Sequence, residues 1–206
     1  MLGITDYWAF ALAVLVFLAL PGPGTFGLLT ATGKGGARAG VAGTLGLIVG
    51  DQVLMWMAAL GVAAILQAHP LWFRALQYAG AAYLVYVGAR LILRRAAHSA
   101  APLQLQSGHY FRQLLLITLL NPKAIVFYMA FFPLFIDPAT QRGFITFGAM
   151  ALTIAVITLV YCLLLVFFAQ ALRERVLAHR RVARALERIA GLMLVAFGIR
   201  LAQAGQ

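Results

Sequence analysis

Six apolar runs, separated by short polar and mostly basic connections, organise the chain: Tyr7 to Leu29, Val41 to Leu66, Leu71 to Ile92, Leu114 to Phe135, Phe144 to Leu172 and Leu186 to Ala202. Each run reaches the roughly 17 residues that a bilayer-crossing helix needs at the least. The pattern predicts an all-α membrane protein with six transmembrane helices.

Two runs are interrupted near their middles. The first carries Pro21, Gly22, Pro23 and Gly24, and the fourth carries Asn121, Pro122 and Lys123. A proline inside a helix removes a hydrogen bond and opens the backbone. Freed N–H and C=O groups at membrane depth are tolerable only against protein or a watery cavity. Paired breaks of this kind mark binding sites in transporters built from repeats. A single proline kink is the plainer reading, but both interruptions add polar or glycine neighbours to the proline.

The stretch from Arg94 to Gly108, rich in Ala, Ser and Gln and containing Pro102, resembles a linker. It divides a single domain, 1–206, into halves of about 1–95 and 110–206, with a cytoplasmic linker of about 96–109. Three spans per half is odd, so the second half enters the membrane from the opposite side. The expected architecture is two inverted three-helix repeats with spans one and four broken.

Composition supports the membrane assignment, with 64% hydrophobic residues, 10% charged and a mean hydropathy of +0.94. The net charge of +11 would suggest nucleic acid in a soluble protein. Here the cations sort by side, which excludes that partner. Lys34, Arg38, Arg90, Arg94, Arg95, Arg112, Arg173, Arg175, Arg180, Arg181, Arg184 and Arg188 fall on one side; Arg74, Arg142 and Arg200 fall on the other. The positive-inside rule then places both termini outside, with anionic lipid facing the basic clusters. The first run lacks a basic leader and is too long for a secretory core, so no cleaved signal is expected. The single cysteine, Cys162, is expected to pack.

Asp51 and Lys123 stand deep in apolar runs, roughly 15 Å from a helix end at 1.5 Å per residue. An unpaired ion near the bilayer midplane costs at least about 2.5 to 3.5 kcal/mol, so each should face a cavity or a partner, and the two are candidates to partner each other. A structural carboxylate and a snorkelling lysine are the bland readings. Asp6 reads as a helix cap and Asp137 as a solvated loop carboxylate.

Gly36, Gly40, Gly43, Gly46 and Gly50 recur every three or four residues and predict a smooth stripe for close helix packing; dimerisation through it is left open. Tyr7, Trp8, Trp72, Phe73 and Phe144 sit at run ends as interface anchors. Gly22, Gly24 and Gly27 spell GxGxxG, but without the strand and βαβ unit a dinucleotide site requires. His69, His98, His109 and His179 lie at run ends or in connections, and no catalytic constellation, cofactor site or metal site emerges.

Together, the PGP of span one, the glycine-rich lead into Gly50-Asp51 and Asn121-Pro122-Lys123 resemble the LysE/RhtB amino-acid exporters over essentially the whole chain. Gly50 to Met55 and Asn121 to Tyr128 look most similar to the leucine-exporter branch. That branch continues PGP with Asn where this chain has Gly24. The resemblance implies a bacterial inner-membrane exporter of neutral amino acids, leucine-like, driven by proton antiport. Combined with the residues, it suggests a zwitterion between the two breaks. Its carboxylate would meet Lys123 and N–H groups after a break, and its ammonium would meet Asp51 or freed carbonyls. Pro21, Gly22, Pro23, Gly24, Asn121 and Pro122 shape this site, and Phe26, Phe127, Tyr128 and Phe131 are candidates for its apolar lining. Efflux of homoserine, threonine or a basic amino acid, and a scaffold with a buried Asp51–Lys123 pair, stay open as alternatives.

Overall fold

The computed structural model describes residues 3–20, 22–68, 105–137, 139–140 and 143–171, together with helical positions 75, 78, 82, 85, 86 and 89. The third run is described at those single positions alone, and the sixth run, Pro21 and most of the linker lie outside the described residues. Among the described residues every regular element is helical: α1 (Tyr7–Ala19), α2 (Pro23–Ala68), α3 (Tyr110–Leu119), α4 (Pro122–Phe131) with a 3-10 turn at Phe132–Phe135, and α5 (Phe144–Ala171).

Asp6 starts α1 by accepting the Ala9 N–H at 3.0 Å, as a cap should. The helix stops at Leu20, ahead of Pro21 and Pro23, and Pro23 opens α2 where a missing N–H costs nothing. The second interruption is built alike. Asn121 caps α4 by accepting the Lys123 N–H at 3.0 Å, Pro122 takes the first helical position, and Thr118 O accepts the Asn121 N–H at 3.1 Å. The chain bends by 56° there.

A straight 46-residue α2 would run about 69 Å, over twice the hydrocarbon thickness. Gly36 prevents that, with φ 69° and ψ −162°, a conformation essentially reserved for glycine. The chain folds back at this point into two arms, 23–35 and 37–68. Gly24 faces Leu47, Gly43 faces Leu28 and Gly40 faces Thr32, pairs that converge on Gly36. Gly36 therefore leaves the predicted stripe and makes the turn itself.

The rest of the stripe is covered by the chain's own helices. A Cβ on Gly46 would collide with the Phe111 carbonyl, and one on Gly50 would lie 2.7 Å from Thr118 Cβ. The second arm of α2 and α3 run side by side in the same direction. On Gly40 a Cβ would fall 2.6 Å from Val166, while Gln52 donates to Ala151 O at 3.0 Å and Trp56 stacks on Phe144 at 5.2 Å, so α5 runs antiparallel to that arm. This stripe is occupied within one chain, not held open for a second copy.

These contacts fix two ends. One holds the Gly36 turn, Tyr110 against Gly35, and Lys34 donating to Leu105 O at 3.0 Å. The other holds the start of α1 against the end of the 3-10 turn: Thr5 N–H to Phe135 O at 3.0 Å and Asp137 N–H to Gly3 O at 3.2 Å. There Asp137 accepts from the Thr140 hydroxyl at 2.7 Å and the Ala139 N–H at 2.9 Å, which hold its carboxyl below the usual range. The broken pair α1 and first arm thus runs from the second end to the first, and α3 and α4 run the opposite way.

The second arm of α2 and α5 are each long and apolar enough to cross a membrane, and the bent pair α3 and α4 counts as a third span. Apolar side chains face outward, among them Leu152 at 66% and Leu164 at 65% exposure, as lipid contact requires. Inside, one cluster gathers Phe10, Phe131, Phe132, Phe135, Met55 and Met150, and a second gathers Leu28, Leu114, Cys162 and Val166.

Gly46→Val should destabilise the protein by about 1–3 kcal/mol through overpacking against α3, read as a lower melting temperature in detergent. Gly148→Ala, where a Cβ meets nothing within 4 Å, should be neutral or stabilising. In the same assay Asn121→Ala should cost about 1 kcal/mol for its lost cap and Asn121→Asp much less.

Candidate functional site

Both helix breaks open onto one cavity of about 50 Å³, and Leu20, Gly22 and Gly24 of the first break meet Asn121 and Lys123 of the second around it. Its walls come from α1, both arms of α2, α3, α4 and α5. The cavity lies among the residues that join the two apolar clusters.

Helix register brings Asp51 there. Leu47, Asp51 and Met55 follow one another at four-residue spacing along the buried face of the second arm. Leu47 and Asp51 line the cavity and Met55 enters the aromatic cluster. Gly46 and Gly50, beside this face, let α3 close in and fix the arm's rotation. Asp51 is 5% exposed, with the Tyr128 and Thr158 hydroxyls directed toward its carboxyl and the Lys123 charge nearby. Thr158 Oγ1 is buried and completes no hydrogen bond among the described residues.

Lys123 does not form the expected direct pair with Asp51. Its ammonium crosses to the end of α1, donating to Leu20 O at 2.7 Å and Phe17 O at 3.0 Å, and sits 4.4 Å from the centroid of the Phe17 ring. The cause lies in α1. The Phe17 carbonyl would pair with residue 21, a proline with no N–H, and that of Leu20 would pair with Gly24 beyond the break. Unpaired carbonyls gather at the negative end of the helix dipole, and the half-buried cation answers them.

Other predicted residues are distributed unevenly. Gly22 and Gly24 line the cavity, and a Cβ on Gly22 would stand 3.6 Å from Lys123 Cδ and Nζ. Pro23 and Pro122 begin their helices with exposed rings. Asn121 reaches the cavity with its side-chain oxygen engaged in its cap. Phe127 and Phe131 are absorbed into an aromatic stack, Phe17 to Phe127 at 3.8 Å and Phe127 to Phe131 at 4.3 Å, and do not line the cavity. Tyr128 is buried with its hydroxyl toward Asp51, and Phe26 is 40% exposed and away from the cavity.

Sequence reading missed Phe17, Thr118, Thr158 and Tyr161, all in the wall. Thr146, Met150, Ile154, Thr158, Cys162 and Val166 make a buried stripe at four-residue spacing, and a threonine in the middle of it was the available signal. Among the described residues no three His, Cys, Asp or Glu side chains group as metal ligands. A wider concavity at the Gly36 end is lined by Arg38, His109 and Arg112.

Comparison with known proteins agrees with this architecture. Residues 15–205 match the family model for the LysE type translocator. An uncharacterised membrane protein of Pseudomonas aeruginosa is 36% identical over 98% of this chain and 97% of its own length. The leucine efflux protein of Salmonella choleraesuis is 30% identical, and that of an Enterobacter species 32%, each over 97% of this chain and 96% of the relative. No solved structure matches the chain. Matched from residue 15 to residue 205, the chain belongs to the LysE type translocator family, whose members are transporters and not enzymes.

Proposed function

We propose that this protein exports neutral, leucine-like amino acids across the bacterial inner membrane in exchange for protons. The observation that carries the reading is the cavity between the two breaks, with buried Asp51 on one side and Lys123 on another. Intramembrane ionisable groups facing a cavity mark solute and proton paths. The leucine efflux relatives supply the substrate class.

In this reading the chain has six spans in two inverted halves. The opposite courses of the two broken pairs support it, each followed by a long helix that returns. The Gly36 end faces the cytoplasm, supported by Lys34, Arg38 and Arg112 at that end and by a concavity suited to anionic headgroups. The substrate ammonium is drawn toward Asp51, Thr158 and the carbonyl ends of α1. Its carboxylate is drawn toward Lys123 and the orphan N–H groups of Gly24 and Thr25 at the start of α2.

A cavity of about 50 Å³ is smaller than leucine's nine heavy atoms need, so the walls must part to admit the substrate. Opening it toward either side means moving the helix pieces at a break. Asp51 carries the exchanged proton as the site alternates.

Cells preloaded with radiolabelled leucine should lose it faster with the wild-type protein than with vector. A proton uncoupler should abolish the difference, and Asp51→Asn at matched expression should fall to within about twofold of vector. An Asp51→Asn variant exporting like wild type, with the same pH dependence, would remove Asp51 from coupling. Orientation is tested by single cysteines in a Cys162→Ser background. A membrane-impermeant maleimide should label Thr140→Cys in intact spheroplasts and Ser107→Cys only after permeabilisation.

A further inference from the structure

We propose that the carbonyls of Phe17 and Leu20, roofed by the Phe17 ring, form a primary-ammonium subsite which Lys123 fills in the empty carrier and the substrate's own ammonium takes over. The proposal rests on the amino-acid export reading and gives that site its specificity.

The chemistry of the subsite is legible from its occupant. A primary ammonium has three N–H donors. Here two of them meet carbonyl oxygens at 2.7 and 3.0 Å, and an aromatic face lies 4.4 Å away. The acceptors belong to the cage and not to the lysine: both are main-chain carbonyls at the end of α1, left without their helical donors by the proline break. The Phe17 ring is fixed in turn by its stack on Phe127. The occupant, in contrast, hangs on a flexible four-carbon stem from the first turn of α4. Across the break, Gly22 presents no Cβ to that stem, whose Cδ and Nζ would lie 3.6 Å from one. The mobile partner is therefore a tethered copy of the group that every amino acid carries.

Charge balance then selects the ligand. The cavity holds one acidic and one basic side chain among its lining residues, Asp51 and Lys123, and a zwitterion leaves that balance unchanged. Its ammonium replaces that of Lys123 in the cage, and the released Lys123 meets its carboxylate. A bare amine would strand a second cation in a low-dielectric site, and a bare carboxylic acid could not displace Lys123. Lys123 thus makes the site answer to amino acids while rejecting amines.

Chemical rescue tests the subsite. Lys123→Ala, purified in detergent, should gain about 3–6 °C in melting temperature from n-butylammonium chloride at ten times its dissociation constant. Wild type, with the cage filled, should not shift, and n-butanol should shift neither protein. No selective shift in Lys123→Ala, or equal shifts in both proteins, overturns the subsite. Leucine added to wild type separates the two readings: stabilisation by leucine without amine rescue leaves export standing and removes the subsite, whereas amine rescue without a leucine effect keeps the subsite and removes leucine as substrate. Should Lys123→Ala fail to fold, Phe17→Leu decides. Leucine binding about three- to tenfold weaker supports the cage, and unchanged binding overturns it.

Discussion

A helix carbonyl left without a donor at membrane depth is among the costliest things a membrane protein can contain. The proline break after α1 leaves two such carbonyls, on Phe17 and Leu20, and the Lys123 ammonium meets both. The same contact solves two problems. It supplies the donors that the break withholds, and it gives a half-buried cation its acceptors. Because Lys123 belongs to the second break, the contact also ties the two interrupted helices together and so locates the cavity between them.

That tie works only if the helices can come close, and glycine provides the approach. Gly46 and Gly50 let α3 lie against the second arm of α2 at backbone contact, which places Thr118 and Asn121 beside Asp51. Gly36 turns the first arm back, so that the polypeptide leaving one break returns past the cavity and brings the Asp51 carboxylate to it. Backbone economy and site geometry are thus the same feature: where small residues remove side-chain bulk, polar groups from distant parts of the chain converge.

Much of this was legible in sequence, and the exceptions have a physical pattern. Proline, glycine and charged residues in apolar runs announce themselves, so both breaks and the buried depth of Asp51 followed from the residue string. Gly36 was misplaced on a helix face because its spacing fits the stripe, and only its φ of 69° reveals the turn. The partner of Lys123 was not legible, since backbone carbonyls carry no signature in side-chain chemistry. Thr158 was overlooked for a related reason. Thr30, Thr32, Thr44 and Thr153 each donate to the carbonyl four residues back, the default for a threonine in an apolar helix. Thr158 departs from that habit, and its place on the buried stripe of α5 was the one hint the sequence held.

The smallness of the cavity follows from the same forces. With the carbonyl cage occupied by Lys123 and the Phe17 ring stacked on Phe127, the break is held shut by contacts internal to the chain. An external molecule opens it only by supplying equivalent contacts to the groups it separates, because an unpaired carbonyl, ammonium or carboxylate at this depth is costly. A solute able to replace each contact as it breaks must carry both a donor cation and an acceptor anion on one small frame. The requirement is set by the orphaned backbone, before any fit of the apolar side chain is considered. On the proposed export reading, selection for that side chain belongs to the elements that move apart, while the aromatic stack of α4, already filled by its own rings, stays out of the recognition.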